Sequence, residues 1–229
     1  MSDTPAPKPP LRFGQTSGPR FGRTALTGLV LAQVLVELLL QGADHHLWGS
    51  PLWRGQAYQN GGFWAGLLHD WHPNYAAQPL TMFLTYSVLH AGLGHLVGNM
   101  MSLAVLGDLV GAKLGGRGLI RLYAGCALGG AVAFGLLSHS PAPMIGASGA
   151  IFGLAGALTV WDAQARRAAG LWNRGPLLAL GLAVLNLILW WNAAGNLAWE
   201  THFGGFVAGA ALVRYAPLWL TRRFLAKAR

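Results

Sequence analysis

The residues best suited to hydrolytic chemistry are a serine set among glycines and a distant histidine. Ser148 lies between Gly146 and Gly149, just before an apolar run, and His202 begins a second apolar run. A serine hydroxyl is a weak nucleophile until a base removes its proton, and histidine suits that role near neutral pH. No aspartate at the positions predicted below to face the outer side of the membrane completes a Ser-His-Asp triad. We therefore predict a Ser148–His202 dyad. A serine among small residues is equally typical of closely packed membrane helices, and alone it leaves both interpretations open.

Three polar residues upstream could serve the same chemistry. His95 and Asn99 are four residues apart and so share one helix face, and His90 precedes them. Attack on a peptide carbonyl creates an oxyanion, to which the His95 ring, the Asn99 amide and a backbone N–H at Ser148 could donate. Each residue also has a structural interpretation, as an interfacial histidine or a bridge between helices. A His–His–Asn metal site is disfavoured, because no carboxylate or cysteine stands at ligand spacing.

The composition determines the class of protein. Of 229 residues, 53% are hydrophobic and 10% are charged, whereas soluble domains carry about 25% charged residues. Long apolar stretches approach the roughly 20 residues needed to cross a bilayer. We therefore predict an all-α polytopic membrane protein in which many of the 33 glycines serve helix packing. The single cysteine, Cys126, lies in an apolar run and is expected in the core.

The apolar stretches predict six transmembrane helices. Their approximate extents are residues 25–41, 81–109, a third stretch ending near 137, 148–161, 176–191 and 201–215. Of the 16 Lys and Arg residues, Arg54 alone lies in a connection on the opposite side of the membrane from the other basic residues. The positive-inside rule then puts both termini in the cytoplasm. This distribution accounts for the net charge of +9 without nucleic acid as a partner.

The organisation predicted along the chain has three parts. Residues 1–24 form a basic, proline-containing cytosolic tail rather than a signal peptide, and residues 220–229 form a second basic cytosolic tail. The six-span domain covers 25–219, and its long aromatic first loop, about 42–80, is expected to lie partly at the membrane interface. In the first span, Gln33 and Glu37 are predicted to share one buried face.

This topology brings the polar residues to one depth. The second, fourth and sixth spans all run inward, so Ser148 and His202 begin their spans at the same outer level. His90, His95 and Asn99 are predicted to belong to the second span. Ionisable groups within membrane spans are costly and are by default candidates for function.

The motifs in combination resemble the rhomboid family of intramembrane serine proteases. Over nearly the whole chain outside the N-terminal tail, the matching motifs are His90-x4-His95-x3-Asn99, Gly146-Ala147-Ser148-Gly149 and His202-x2-Gly205-x3-Gly209. The resemblance implies that Ser148 is the nucleophile and His202 the general base. It also implies that His95 and Asn99 line an oxyanion hole and that His90 supports them. It further implies that single-pass membrane proteins are the substrates, cleaved near the outer membrane face without cofactor or metal.

The resemblance also extends to packing. Pairs of glycines at four-residue spacing match the family's close contact between the fourth and sixth spans; the pairs are Gly149 with Gly153 and Gly205 with Gly209. Phe152 stands where rhomboids often have an aromatic ring beneath the catalytic histidine. The family's proposed gate lies between the second and fifth spans, where Trp190 and Trp191 could cover it.

Two departures and two alternatives accompany the resemblance. Residues 81–82 are Thr-Met where many rhomboids have Trp-Arg, and Gly111 stands where many have glutamate. A catalytically silent rhomboid-like protein that binds transmembrane clients is the main alternative, although such relatives generally lack the serine or the histidine. A transporter is less favoured, because the polar residues cluster at the outer ends and no inverted repeat is apparent. We expect a bacterial-type plasma membrane as the location.

Overall fold

A computed structural model describes residues 19–192, 197–216 and 219–220, and it is built of helices. The predicted tails, apart from residues 19–24 and 220, lie outside the described residues, as do residues 193–196 of the last loop. In chain order the helices are α1 (Pro19–Asp44), α2 (Trp53–Gly61), α3 (Gln78–Thr85), α4 (Leu93–Leu137), α5 (Ser148–Ala168), α6 (Gly175–Asn192) and α7 (Trp199–Tyr215). Two short 3-10 turns, Ala65–Leu68 and Tyr86–Val88, lie on either side of α3.

α4 contains a break at Gly115, where φ is 72° and ψ is 176°. This φ lies in the left-handed region that glycine adopts without steric cost. Residues 93–114 and 116–137 are called here the first and second halves of α4. Because Gly146, next to Ser148, contacts His95, and Gly149 and Gly130 both contact Thr201, residues 95 and 130 lie at the same end of the molecule. The chain therefore reverses direction at Gly115.

The helices packed against α4 run antiparallel to the half of α4 that they contact. α1 runs antiparallel to the first half of α4, since Gly22 lies against Gly111 and Leu26 against Gly107. α5 and α7 run parallel to each other, and α7 runs antiparallel to the second half of α4, with Gly204 against Gly129. α6 is loosely packed against α5 and α7.

The apolar surface is consistent with a lipid environment. Rows of large apolar side chains at helical spacing are exposed on α1 and on the first half of α4; they include Leu31, Leu35, Leu38, Val97, Met101 and Val105. Among the described residues, two helices, Gly22–Asp44 and Leu93–Leu137, are long and apolar enough to cross a membrane, and Gly175–Trp191 is a shorter apolar helix.

The predicted second span is wrong at its N-terminal boundary. The sequence predicts a helix from Thr81, but Thr81 lies in α3 and the long helix begins at Leu93. Gly92 has a φ of 105°, which no α-helix can pass through, and it separates the two elements. His90 therefore lies in the connection before α4 rather than on the span.

The predicted first loop contains structure that ties it to α1. Glu37 and Gln33 are both buried, as the sequence predicts. The partner of Glu37 is Arg54 on α2, whose guanidinium also contacts Asp44. The middle of the loop is held by an antiparallel bridge between Phe63 and Met144, four residues before Ser148. The first loop is thus fixed to both α1 and the segment that leads into α5.

Candidate active site

Ser148 is the first residue of α5, and the chain reaches it through a constrained turn. The backbone N–H groups of Met144 and Gly146 donate to the carbonyl oxygens of Phe63 (2.9 Å) and Tyr86 (2.9 Å). Gly146 has a φ of 123°, and a Cβ added there would lie 2.9 Å from His95 Nε2. A side chain at position 146 would therefore be strained and would crowd His95. The first N–H groups of a helix have no acceptor within the helix and favour negative charge, so the turn delivers Ser148 to an anion-stabilising position.

His202 meets Ser148 across the contact between α5 and α7. The distance from His202 Nε2 to Ser148 Oγ is 2.7 Å, which is within hydrogen-bond range. His202 is buried, whereas Ser148 is half-buried and accessible. The ring of Phe152, one turn along α5, is stacked on the His202 ring with centroids 4.3 Å apart. The structure thus brings together a hydroxyl, a base and a ring that supports the base.

Glycines make this approach of α5 and α7 possible. A Cβ at Gly205 would overlap the carbonyl of Gly149, and a Cβ at Gly209 would overlap the carbonyl of Gly153. The four-residue spacing within each pair predicts this close contact from the sequence. Small residues let helix backbones approach closely, and here that approach sets the distance between the serine and the histidine.

His95 and Asn99 lie one turn apart near the start of α4. His95 Nδ1 accepts a hydrogen bond from the Ala91 N–H (3.3 Å), so the proton of the neutral ring is on Nε2, beside Gly146. Asn99 Nδ2 donates to the His95 carbonyl (3.0 Å). His90 is buried, with its ring edge-on to His95 at 5.1 Å. His95 Nε2 is therefore a donor beside Gly146, two residues before the candidate nucleophile Ser148.

Asn186 is a site residue that the sequence motifs do not predict. Its Oδ1 lies 2.5 Å from His202 Nδ1, and it is carried on α6. The available signal was that Asn186 is the one polar side chain between Pro176 and Trp191. A cavity of about 350 Å³ adjoins this contact and has mainly apolar walls, which include Phe152, Leu182 and Phe206.

The arrangement uses groups that act through proton transfer and hydrogen bonding. Among the described residues, no group of three or more His, Cys, Asp or Glu side chains could hold a metal ion. The four histidines of the first loop, His45, His46, His69 and His72, are exposed. The candidate active site consists of Ser148 and His202 together with the residues described around them: Gly146, Phe152, His95, Asn99, His90 and Asn186.

Comparison with known proteins gives the family. The Rhomboid domain model matches residues 77–217. RHOMBOID-like protein 2 of Arabidopsis thaliana is 38% identical over 131 residues, which cover 54% of this chain and 38% of that protein. RHOMBOID-like protein 5 of the same plant is 35% identical over 127 residues, 53% of this chain and 39% of that protein.

A bacterial relative gives a similar result. Rhomboid protease GluP of Bacillus subtilis is 33% identical over 126 residues, which cover 55% of this chain and 24% of that protein. The chain matches less than half the length of these three curated relatives. Because the Rhomboid domain covers more than half of its residues, the chain belongs to the rhomboid family and is an integral membrane protein.

Proposed function

We propose that this protein is an intramembrane serine endopeptidase that cleaves transmembrane segments of single-pass membrane proteins. The observation that carries the proposal is the 2.7 Å contact between Ser148 Oγ and His202 Nε2 at the start of α5. The family is one of serine intramembrane proteases, and this chain retains both residues on which such chemistry depends.

The reaction follows from the geometry of the dyad. His202 Nε2 accepts the Ser148 proton as Oγ attacks the scissile carbonyl carbon, which forms a tetrahedral intermediate. The imidazolium then gives this proton to the leaving amine, the C–N bond breaks, and an acyl-enzyme ester remains. Water attacks the ester with His202 again as base, and the proton returns to Ser148 Oγ as the carboxylate product leaves. No cofactor or metal takes part in these steps.

Three donors suit the oxyanion of both tetrahedral intermediates. His95 Nε2–H lies beside Gly146, next to Ser148. The amide of Asn99 carries two N–H groups, of which one donates to the His95 carbonyl and the second is available to substrate. The backbone N–H of Ser148 at the start of α5 is the third donor. Removing one such donor typically costs about 10²–10³ in rate.

The membrane arrangement is part of the proposal. Six spans, α1, the two halves of α4, α5, α6 and α7, would alternate in direction with both termini in the cytoplasm. The reversal at Gly115 and the charge distribution support this arrangement. The dyad then lies near the outer face, where water can reach it, in a bacterial-type plasma membrane.

Substrate access is proposed from the lipid side. α6 is loosely packed against its neighbours, and Trp191 near its outer end is 79% exposed. Movement of α6 relative to the first half of α4 would admit a transmembrane segment to Ser148. The gate is therefore assigned to the second and fifth spans.

The test is cleavage of a single-span reporter by the purified protein in proteoliposomes. Ser148→Ala should lower the rate by about 10⁴–10⁶, because the nucleophile is lost. Ser102→Ala is a matched control, because Ser102 is exposed on α4 and bonds to its own helix. Equal cleavage by wild type and Ser148→Ala would refute the proposal. Tight binding of the reporter with no cleavage by wild type would instead favour a silent client-binding protein.

A further inference from the structure

Asn186 completes a chain of contacts through His202. The two ring nitrogens of His202 face different partners, with Nε2 2.7 Å from Ser148 Oγ and Nδ1 2.5 Å from Asn186 Oδ1. Phe152 covers one face of the ring. Three groups from two different helices thus fix the position, the tilt and the rotation of one imidazole.

The contact with Asn186 also selects the tautomer of His202. An amide oxygen carries no proton, so with Oδ1 facing the ring the short contact needs a proton on Nδ1. In the neutral ring this leaves Nε2 with a lone pair directed at the Ser148 hydroxyl. That is the form required of a general base, and the opposite tautomer could not accept the serine proton. An asparagine orients the catalytic histidine in the same way in Cys-His-Asn proteases.

The surroundings of Asn186 favour this contact over competing ones. Asn186 is half-buried, and the cavity beside it has apolar walls that include Ala179, Leu182 and Ala183. An amide in apolar surroundings is costly unless it is hydrogen-bonded, which favours the bond to His202. The other residues of α6 between Pro176 and Trp191 are apolar, so Asn186 is not part of a polar face of this helix.

We propose that Asn186 is a positioning residue for the general base, so that the site is a Ser148–His202–Asn186 triad. This inference rests on the proposed proteolytic function. Asn186 does not touch the reacting atoms, and its effect passes through the orientation and tautomer of His202. Because α6 is the loosely packed helix, the geometry of the base depends on where α6 sits.

The experiment compares Asn186→Leu, Asn186→Asp and Leu187→Ala in proteoliposomes with the single-span reporter. Asn186→Leu keeps a similar volume without the acceptor and should lower kcat by about 10–100-fold with KM changed less than about twofold, because a lost acceptor acts on the chemical step. Asn186→Asp restores an oxygen acceptor and should recover most of kcat. Leu187 is 61% exposed on the same helix, and its replacement should leave the rate unchanged.

The pH profile separates positioning from a merely structural role. A carboxylate next to Nδ1 would stabilise the imidazolium, and catalysis needs the neutral ring. The acid limb of the Asn186→Asp profile should therefore move to higher pH than that of wild type. An Asn186→Leu kcat within twofold of wild type, or Asn186→Asp no better than Asn186→Leu with an unmoved acid limb, would overturn the inference.

A fluorophosphonate probe distinguishes failure of this inference from failure of the proposed function. The probe phosphonylates an activated serine directly, so its rate reports on Ser148 and His202 without any protein substrate. If wild type cleaves no reporter but labels at Ser148, slower labelling of Asn186→Leu still supports the positioning role of Asn186. If reporter cleavage depends on Ser148 but labelling and cleavage are the same in Asn186→Leu, only the positioning role of Asn186 is rejected.

Discussion

Arg54 on α2 joins three parts of the molecule. Its guanidinium donates to both carboxylate oxygens of Glu37 (2.9 and 3.1 Å) and to Asp44 Oδ2 (2.6 Å). It also donates to the carbonyl of His90 (3.1 Å), which accepts a second hydrogen bond from the Tyr58 hydroxyl (2.7 Å). Arg54 thus connects the first loop, α1 and the connection that precedes α4, the helix that carries His95 and Asn99. Replacing it should lower stability first and activity as a consequence.

The magnitude follows from burial. The Glu37 side chain has no exposed surface, and that of Arg54 is 18% exposed. Removing one partner of a buried ion pair costs about 3–5 kcal/mol, mostly because the other charge is left without a partner. The residual exposure of Arg54 puts the expected loss near the lower end, about 3 kcal/mol. In a domain of this size that corresponds to a Tm lower by roughly 6–12 °C.

The contribution of Arg54 should not vary with pH in the physiological range. Burial alone would lower the pKa of Arg54, but its hydrogen bonds to Glu37, Tyr58 and Asp44 outweigh burial and raise that pKa above its ordinary value. A base with a raised pKa contributes stability that is fully present below the pKa of the unfolded chain and is lost only above it. Since that pKa is already far above neutrality, the difference between wild type and an Arg54 variant should be constant from about pH 6 to 9.

The assay is thermal unfolding in detergent micelles of Arg54→Met, Glu37→Gln and the double variant. The double variant should lose less stability than the sum of the two single losses, because neither side chain is then left as an unpaired buried charge. Arg23→Met is the control, since its ion pair with Asp108 is 74% and 53% exposed and should be worth less than about 1 kcal/mol. An Arg54→Met protein that unfolds like Arg23→Met, or strictly additive losses in the double variant, would refute this reasoning.

The remaining predictions concern the site and its surroundings. Gly205→Ala should destabilise the protein by about 1–3 kcal/mol and reduce reporter cleavage, because the new methyl overlaps the α5 backbone. Gly98→Ala has open space around it and should stabilise by about 0.5–1 kcal/mol in the same melts. Asn99→Ala should lower kcat by about 10²–10³ with little change in Tm; a rate within threefold of wild type would remove Asn99 from the oxyanion hole. Replacing Trp190 and Trp191 together with alanine should speed cleavage in proteoliposomes if they cover the gate, and an unchanged rate would count against the gate.

The sequence predicts the elements that carry the site because membrane helices have a strong local signal. The predicted starts of the fourth and fifth stretches, 148 and 176, match α5 and α6 to within one residue. The N-terminal boundary of α4 was missed because residues 81–109 are apolar on both sides of Gly92, and hydropathy does not register a single positive φ. Hydropathy likewise does not show how compact the reversal at Gly115 is. Lys113 and Arg117 suggest a loop, but the structure has a one-residue break.

Contacts between residues on different helices are harder to predict from the sequence than the motifs of the site. Glu37 and Arg54 are 17 residues apart on different helices, and the buried pair forms because the first loop folds back onto α1. Asn186 had a visible signal, one amide in an apolar helix, but its partner depends on how α6 sits against α7. Spacing finds residues on one helix face, whereas contacts between helices depend on packing that no local pattern specifies.

The geometry around Ser148 and His202 therefore depends on three separate sets of contacts, and disrupting each set should have a different effect on stability and rate. The glycines of α5 and α7 set the distance between Ser148 and His202, so a methyl there should reduce stability and rate together. Arg54 fixes the first loop, so its loss should appear mainly in unfolding. Asn186 acts on the orientation of a ring that Phe152 already supports, so its loss should appear in kcat with the fold intact. A set of variants that lowered stability and rate in constant proportion at all three places would show that the site has no positioning separate from the fold.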